Sequence, residues 1–116
     1  MATGANHNKR HTELVKASVY WLNLHGVYCW PNNTGAAYRN GRPIQYGKTG
    51  STDIMGILNE GRFFGCEVKT GKAVLTKEQK EFKSDIISRN GLWVLVRDTI
   101  DCLIQCVELR PYLRGI

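Results

Sequence analysis

The residues best suited to chemistry in this chain are Asp53, Glu67 and Lys69, because a short turn between two apolar runs should bring all three onto one face. Residues 52–58 and 62–69 read as strands, and Asn59-Glu60-Gly61 between them is a three-residue connection ending in glycine, suited to a type I turn with a G1 bulge. If Leu58 faces Arg62, residues whose numbers sum to 120 are opposed, so Ile57 meets Phe63, Ile54 meets Cys66 and Asp53 meets Glu67. Directly opposed side chains share a face, with Cβ atoms about 4.5–5.5 Å apart. Two like charges that close are destabilising unless one is protonated or a cation lies between them. A divalent ion is the natural cation. Hard oxygen ligands without thiolate or imidazole select magnesium or manganese, which keep waters and accept phosphate oxygens. Lys69, two residues beyond Glu67, points the same way and adds an ammonium. The chemistry implied is that of phosphodiesters. Register decides it, since a slip of one residue sends the carboxylates to opposite faces.

The elements that must position this trio follow from periodicity and caps. Residues 1–10 are small, polar or basic and read as a flexible basic arm, with one domain over 11–116. From His11 to about His25, Leu14, Ala17, Trp21 and Leu24 recur at helical spacing, with Val15 and Leu22 widening the stripe, and Gly26 ends the helix. Val27-Tyr28-Cys29-Trp30 opens a strand that Pro31-Asn32-Asn33 stops. Between Gly35 and Gly50, Tyr38, Arg39, Arg42, Tyr46 and Lys48 flank an Asn40-Gly41 turn dipeptide, which reads as an exposed basic and aromatic hairpin. Thr76-Lys77-Glu78-Gln79 has the capping-box pattern, so a helix should run from Thr76 to about Arg89 with Phe82 and Ile86 inward. Leu92 to Val96 is a buried strand. A last helix should begin near Thr99, with Ile100, Leu103, Ile104 and Val107 on one side and Pro111 at its end. The order, helix, three or more strands, helix, strand, helix, predicts an α/β fold with a mixed sheet between helices.

Length and composition bound the rest. A chain of 116 residues suffices for one domain with a genuine core. Its net charge of +6 favours a polyanionic partner. The absence of an apolar leader or membrane-length stretch predicts a soluble, intracellular, cytoplasmic protein. Cys29, Cys66, Cys102 and Cys106 lack CxxC spacing and read as free thiols. The scattered His7, His11 and His25 read as surface or capping residues, and the aromatic Tyr20, Trp21, Trp30 and Trp93 as core. Gly47-Lys48-Thr49 lacks the leading glycine of a phosphate-binding loop, because position 42 is Arg42.

Gly50-Ser51-Thr52-Asp53-Ile54, then Cys66-Glu67-Val68-Lys69 and Leu75-Thr76-Lys77-Glu78-Gln79, together resemble the VRR-Nuc family of the PD-(D/E)xK nuclease superfamily, over about Glu13 to the C-terminus. The resemblance is to short standalone members of phage and bacterial type. It implies a restriction-endonuclease-like core of order αβββαβ with a C-terminal helix added here. It further implies metal ligation by Asp53, Glu67 and the Val68 carbonyl, with Glu13 completing the site through water, Lys69 as catalytic lysine and Gln79 as the downstream glutamine. Residues 50–52 stand where many relatives carry a proline. Relatives of this size resemble Holliday-junction resolvases, which act as homodimers on branched DNA. Expected activity is therefore Mg²⁺- or Mn²⁺-dependent endonucleolytic cleavage of DNA, leaving 5′-phosphate and 3′-hydroxyl ends.

Phosphate contacts would come from Lys48, Arg39, Arg42, Lys72, Lys9 and Arg10, with Tyr38 and Tyr46 stacking on unpaired bases. Two residues carry a second reading. Gln79 also suits position N3 of a capping box, and Glu13 also suits the first turn of a helix. The competing class is a non-catalytic nucleic-acid-binding module that keeps the nuclease-like fold.

Overall fold

A mixed four-stranded sheet forms the centre of the computed structural model, which describes residues 4–116. Helix α1 (Gly4–Leu24) leads into β1 (Tyr28–Pro31), and a separate hairpin follows, β2 (Gly35–Arg39) with β3 (Arg42–Tyr46). Strands β4 (Ile54–Ile57) and β5 (Phe63–Lys69), helix α2 (Lys77–Ser88), β6 (Leu92–Arg97) and a short α3 (Asp101–Ile104) complete the chain, with a last 3₁₀ turn at Arg110–Tyr112. The sheet order is β1-β4-β5-β6; only β5 and β6 run parallel, and α2 is their crossover.

The β4–β5 register is the predicted one, with Ile54 opposite Cys66 and Ile57 opposite Phe63. The connection differs in detail. Glu60 takes φ 69 where a type I turn needs a negative φ, and the Leu58 amide donates to the Arg62 carbonyl at 2.7 Å. A different turn of the same length gives the same pairing, so the face assignment survives.

One sheet face carries Ile54, Phe64, Cys66, Val68, Leu92, Val94 and Val96, all buried with Leu14 and Leu22 of α1 and with Leu103 and Leu109. Helix α2 covers the other face, its Phe82 ring 6.4 Å from Phe63 in an edge-on contact and its Lys83 ammonium 4.4 Å from the Trp93 ring centre. The Thr76–Gln79 capping box is formed as predicted, and Asn90 in the left-handed region ends that helical stretch. All four cysteines are free; burial pushes the Cys29 thiol up to about 12, far from a reactive thiolate. Among the described residues no helix is long and apolar enough to cross a membrane.

Three expectations need correction. Helix α1 begins at Gly4, so residues 4–10 continue the helix rather than forming a loose arm; Ala5, Lys9 and Arg10 are good helix formers, and Arg10 ties back to Asp98 at 3.4 Å. Residues 1–3 of that arm lie outside the described residues. The inward stripe of α1 is also rotated: Leu14, Ser18 and Leu22 are buried, whereas Leu24 is 64% exposed and Tyr20 is 71% exposed. The last helix is a single turn. Its two anchors, Leu103 and Leu109, are six residues apart, a spacing that one helix face does not provide, so the chain bends between them and leaves Val107 exposed.

Phe64, with no exposed surface, lies in the central strand of this core. Replacing it with alanine should cost about 3–5 kcal/mol of unfolding free energy, measurable as a lower urea midpoint at unchanged slope.

Candidate metal centre

Asp53 sits one residue before β4, and its placement is over-determined. Its carbonyl accepts the Asn32 amide at 2.7 Å, while the Asn32 side chain donates to Ser51 Oγ at 2.8 Å and to the Thr52 carbonyl at 2.9 Å. The preceding Thr52 is buried, its hydroxyl donating to the Ile54 carbonyl at 2.8 Å. Small residues are needed on this approach. Gly50, at φ +86, lies so close to the Glu78 carbonyl that a Cβ would fall 2.4 Å from its oxygen. With the backbone held, the Asp53 carboxylate reaches across to β5 and accepts the Val68 amide at 2.8 Å.

Glu67 is the one carboxylate inside the core, 2% exposed. Gln79 Nε2 donates to its Oε2 at 3.2 Å, and Lys69 Nζ lies 3.7 Å from the same oxygen. Gln79 forms the capping box and also contacts both Lys69 and Glu67. Its Oε1 accepts the Thr76 amide at 2.9 Å to close the capping box and accepts Lys69 Nζ at 2.8 Å, which leaves its amide nitrogen for Glu67.

The electrostatics record the crowding of the two acids. Burial, then the neighbouring Asp53 charge, pushes Glu67 up to about 8. Burial opposes ionisation of Asp53 as well, but the His11 and Val68 hydrogen bonds outweigh it and hold Asp53 below the usual carboxylate range. The two acids therefore titrate as a pair, with ionisation of Glu67 the less favourable of the two.

Glu13 does not join this group. It lines a separate groove with Arg10, Leu14, Thr70 and Asp98, on the side of α1 away from Asp53. The position at the site belongs to His11, whose Nε2 lies 3.1 Å from the Val68 carbonyl oxygen and 3.4 Å from Asp53 Oδ2. Its hydrogen bond with Asp53 raises its pKa above the ordinary 6.5, against the opposing effect of burial. Two residues along a helix turn the side chain by about 200°, so His11 and Glu13 cannot both face Asp53. Nothing local in the sequence distinguishes His11 from a surface residue; only the docking of α1 beside Asp53 does.

A cleft of about 570 Å³ opens beside Asp53, lined by His11, Thr12, Lys16, Asn32, Asn33 and Thr34 among others. Lys16 is a cation at this mouth that periodicity alone did not single out. Of the expected phosphate contacts, Lys9, Arg39, Arg42, Lys48 and Lys72 are exposed, whereas Arg10 is partly committed to Asp98. Tyr38 and Tyr46 are both exposed but lie on opposite faces of the hairpin, so one strand of bases cannot stack on both.

Among the described residues no three His, Cys, Asp or Glu side chains form a ready-made metal cage. Magnesium does not require one, since it is held by one or two carboxylates and keeps its waters. Asp53, Glu67 and the Val68 carbonyl fit such an ion by donor type, and two carboxylates so crowded that one keeps its proton are a place where a divalent cation would replace that proton. His11 Nε2 meets two of the three same groups. No family model, curated protein or solved structure matches this chain.

The shifts predict how stability follows pH. Glu67 is raised from 4.5 to about 8, so the folded chain holds a proton that the unfolded chain releases, and stability declines as pH rises across that interval. His11, raised above 6.5, acts in the same direction, its contribution present below 6.5 and lost as pH passes its folded value. In EDTA, the melting temperature should fall from pH 4.5 to 8, and Glu67→Gln should remove most of that slope.

Proposed function

We propose that the chain is a metal-dependent endodeoxyribonuclease of the VRR-Nuc kind, with a PD-(D/E)xK core, that hydrolyses phosphodiester bonds in branched DNA such as Holliday junctions. The observation that carries this reading is the gathering of four residues at one end of the sheet: Glu67, Lys69 and Gln79 linked by hydrogen bonds, and Asp53 bonded to the Val68 amide and lining an open cleft. Asp53, Glu67 and the Val68 carbonyl would hold Mg²⁺ or Mn²⁺. Such an ion, when bound, lowers the pKa of water and offsets charge on the phosphate.

The chain's own residues supply the rest. Gln79 fixes the Lys69 ammonium through a 2.8 Å hydrogen bond, so that the cation faces the site at a set height instead of folding fully onto Glu67. From there it donates to a phosphate oxygen or to the attacking water, and its value grows because it is largely shielded from solvent. The water oxygen bonds to phosphorus as the phosphorus–O3′ bond breaks and O3′ takes up a proton, leaving 5′-phosphate and 3′-hydroxyl ends. Lys16, which lines the cleft, would hold the strand against it. One chain carries one such site, and cutting both strands at a branch calls for a homodimer.

One observation favours the non-cutting alternative. His11 Nε2 lies against Asp53 Oδ2 and the Val68 carbonyl, where the imidazolium form would itself balance the Asp53 charge, which suits a module that binds nucleic acid without a metal.

The two readings separate in a nicking assay on branched, flapped and linear DNA with magnesium and with EDTA. Cleavage should require magnesium, vanish in Asp53→Ala and Glu67→Ala, and drop by about 10²- to 10³-fold in Lys69→Ala. Wild-type cleavage by either carboxylate variant would reject the nuclease mechanism; DNA binding with no magnesium-dependent cleavage of any substrate would select the binding module.

A further inference from the structure

The β2–β3 hairpin forms a sheet of its own, hydrogen-bonded to no other strand. An isolated two-stranded ribbon is marginal in water, so its stem must be anchored. Glycines provide the close contacts: a Cβ on Gly35 would lie 3.0 Å from the Tyr46 hydroxyl, and one on Gly47, at φ +74, would lie 2.7 Å from Thr34 Cγ2. Asn32, Asn33 and Thr34, which lead into the hairpin, line the cleft at Asp53. The stem thus joins the chain at the rim of the candidate centre, and the tip is the far end of the ribbon.

At the tip, Arg39 is directly opposed to Arg42 across the Asn40-Gly41 turn. Opposed like charges are unfavourable, as they are for the carboxylates below, with the sign reversed. Neither arginine makes an ion pair or side-chain hydrogen bond among the described residues, and no Asp or Glu occurs anywhere between Glu13 and Asp53. Along β3, Ile44 and Tyr46 alternate onto the same face as Arg42, and they are 39% and 48% exposed. A pair of guanidinium groups with no internal anion, at the exposed end of the ribbon, is complementary to a phosphate.

We infer that the hairpin tip is a clamp in which Arg39 and Arg42 together grip one backbone phosphate of duplex DNA, at a set reach from the scissile bond. This rests on the nucleic-acid reading of the neighbouring site. Five residues of strand span roughly 17 Å. On a duplex rising 3.4 Å per base pair, that is about five base pairs. A contact so far from the cleft favours DNA whose helical arm continues past the cleavage point over a short flap or a free end.

The test is a binding cycle on the full chain in EDTA, with a labelled DNA duplex, comparing wild type, Arg39→Ala, Arg42→Ala and the double variant across a salt series. Each single change should weaken binding several-fold and flatten the log–log salt slope by about 0.9, the share of one phosphate. The double variant should lose no more than the weaker-binding single, because the two guanidinium groups act as one unit. The singles should melt no lower than wild type, since the opposed charges are relieved. Additive losses with a slope change of about 1.8 would mean two separate contacts and overturn the clamp. Unchanged slopes would overturn the DNA contact, as would a dimer that dissociates on substitution while its DNA binding persists, which would give the tip to a second copy of the chain. A lower melting temperature in the singles would make the arginines structural and also overturn it. Binding without metal is scored independently of cleavage, so an absence of nicking leaves this result standing.

Discussion

The hydrogen bond from the Val68 amide to the Asp53 carboxylate, 2.8 Å long, is the contact on which the rest of the site depends. It lies just past the last ladder pair of β4 and β5, where the strands would otherwise be free to splay. By holding Asp53 against β5 it places that carboxylate beside Glu67, inside a core that would exclude a lone charge. The chain tolerates this because one oxygen of each acid is well partnered: Glu67 Oε2 by Gln79 and Lys69, and Asp53 Oδ2 by Val68 and His11. The outcome is that burial and the Asp53 charge both oppose ionisation of Glu67.

Gln79 couples this site to folding. The same amide closes the N-terminal cap of α2 and positions Lys69, so the helix cannot fray at its first turn without releasing the ammonium. Gly50 adds a second constraint, since its contact with the Glu78 backbone wedges the approach to Asp53 against that same turn. The start of α2, the end of β5 and the run from Asn32 to Asp53 therefore form one unit whose parts hold each other in place. Charge on the outer surface has the opposite character. The arginines at the hairpin tip are exposed and directly opposed, with no ion pair among the described residues.

Where strand neighbours and turn lengths decide the geometry, the sequence was sufficient. The three-residue turn Asn59–Gly61 between Leu58 and Arg62 led to the pairing that puts Asp53 and Glu67 together, even though Glu60 adopts a different turn from the one expected. Asn40-Gly41 closed its hairpin, with both residues at positive φ, and Thr76 capped its helix. Periods of two and short caps are local properties, readable from a handful of residues.

Helix phase and long-range docking were not readable in that way. The apolar residues of α1 allow more than one inward stripe, and the rotation actually adopted buries Ser18, exposes Leu24, turns Glu13 toward Thr70 and Asp98, and brings His11 to Asp53. In the C-terminal segment, helical spacing of Ile100, Leu103, Ile104 and Val107 lost to the demand that Leu103 and Leu109 both reach the core. By itself the sequence determined the carboxylate pair, its lysine and its glutamine, because strand register and a capping box follow from residues close in the chain. Only the tertiary structure decided that a histidine joins them and that a cleft opens beside them, because those depend on which face of a helix distant in sequence packs against the end of the sheet.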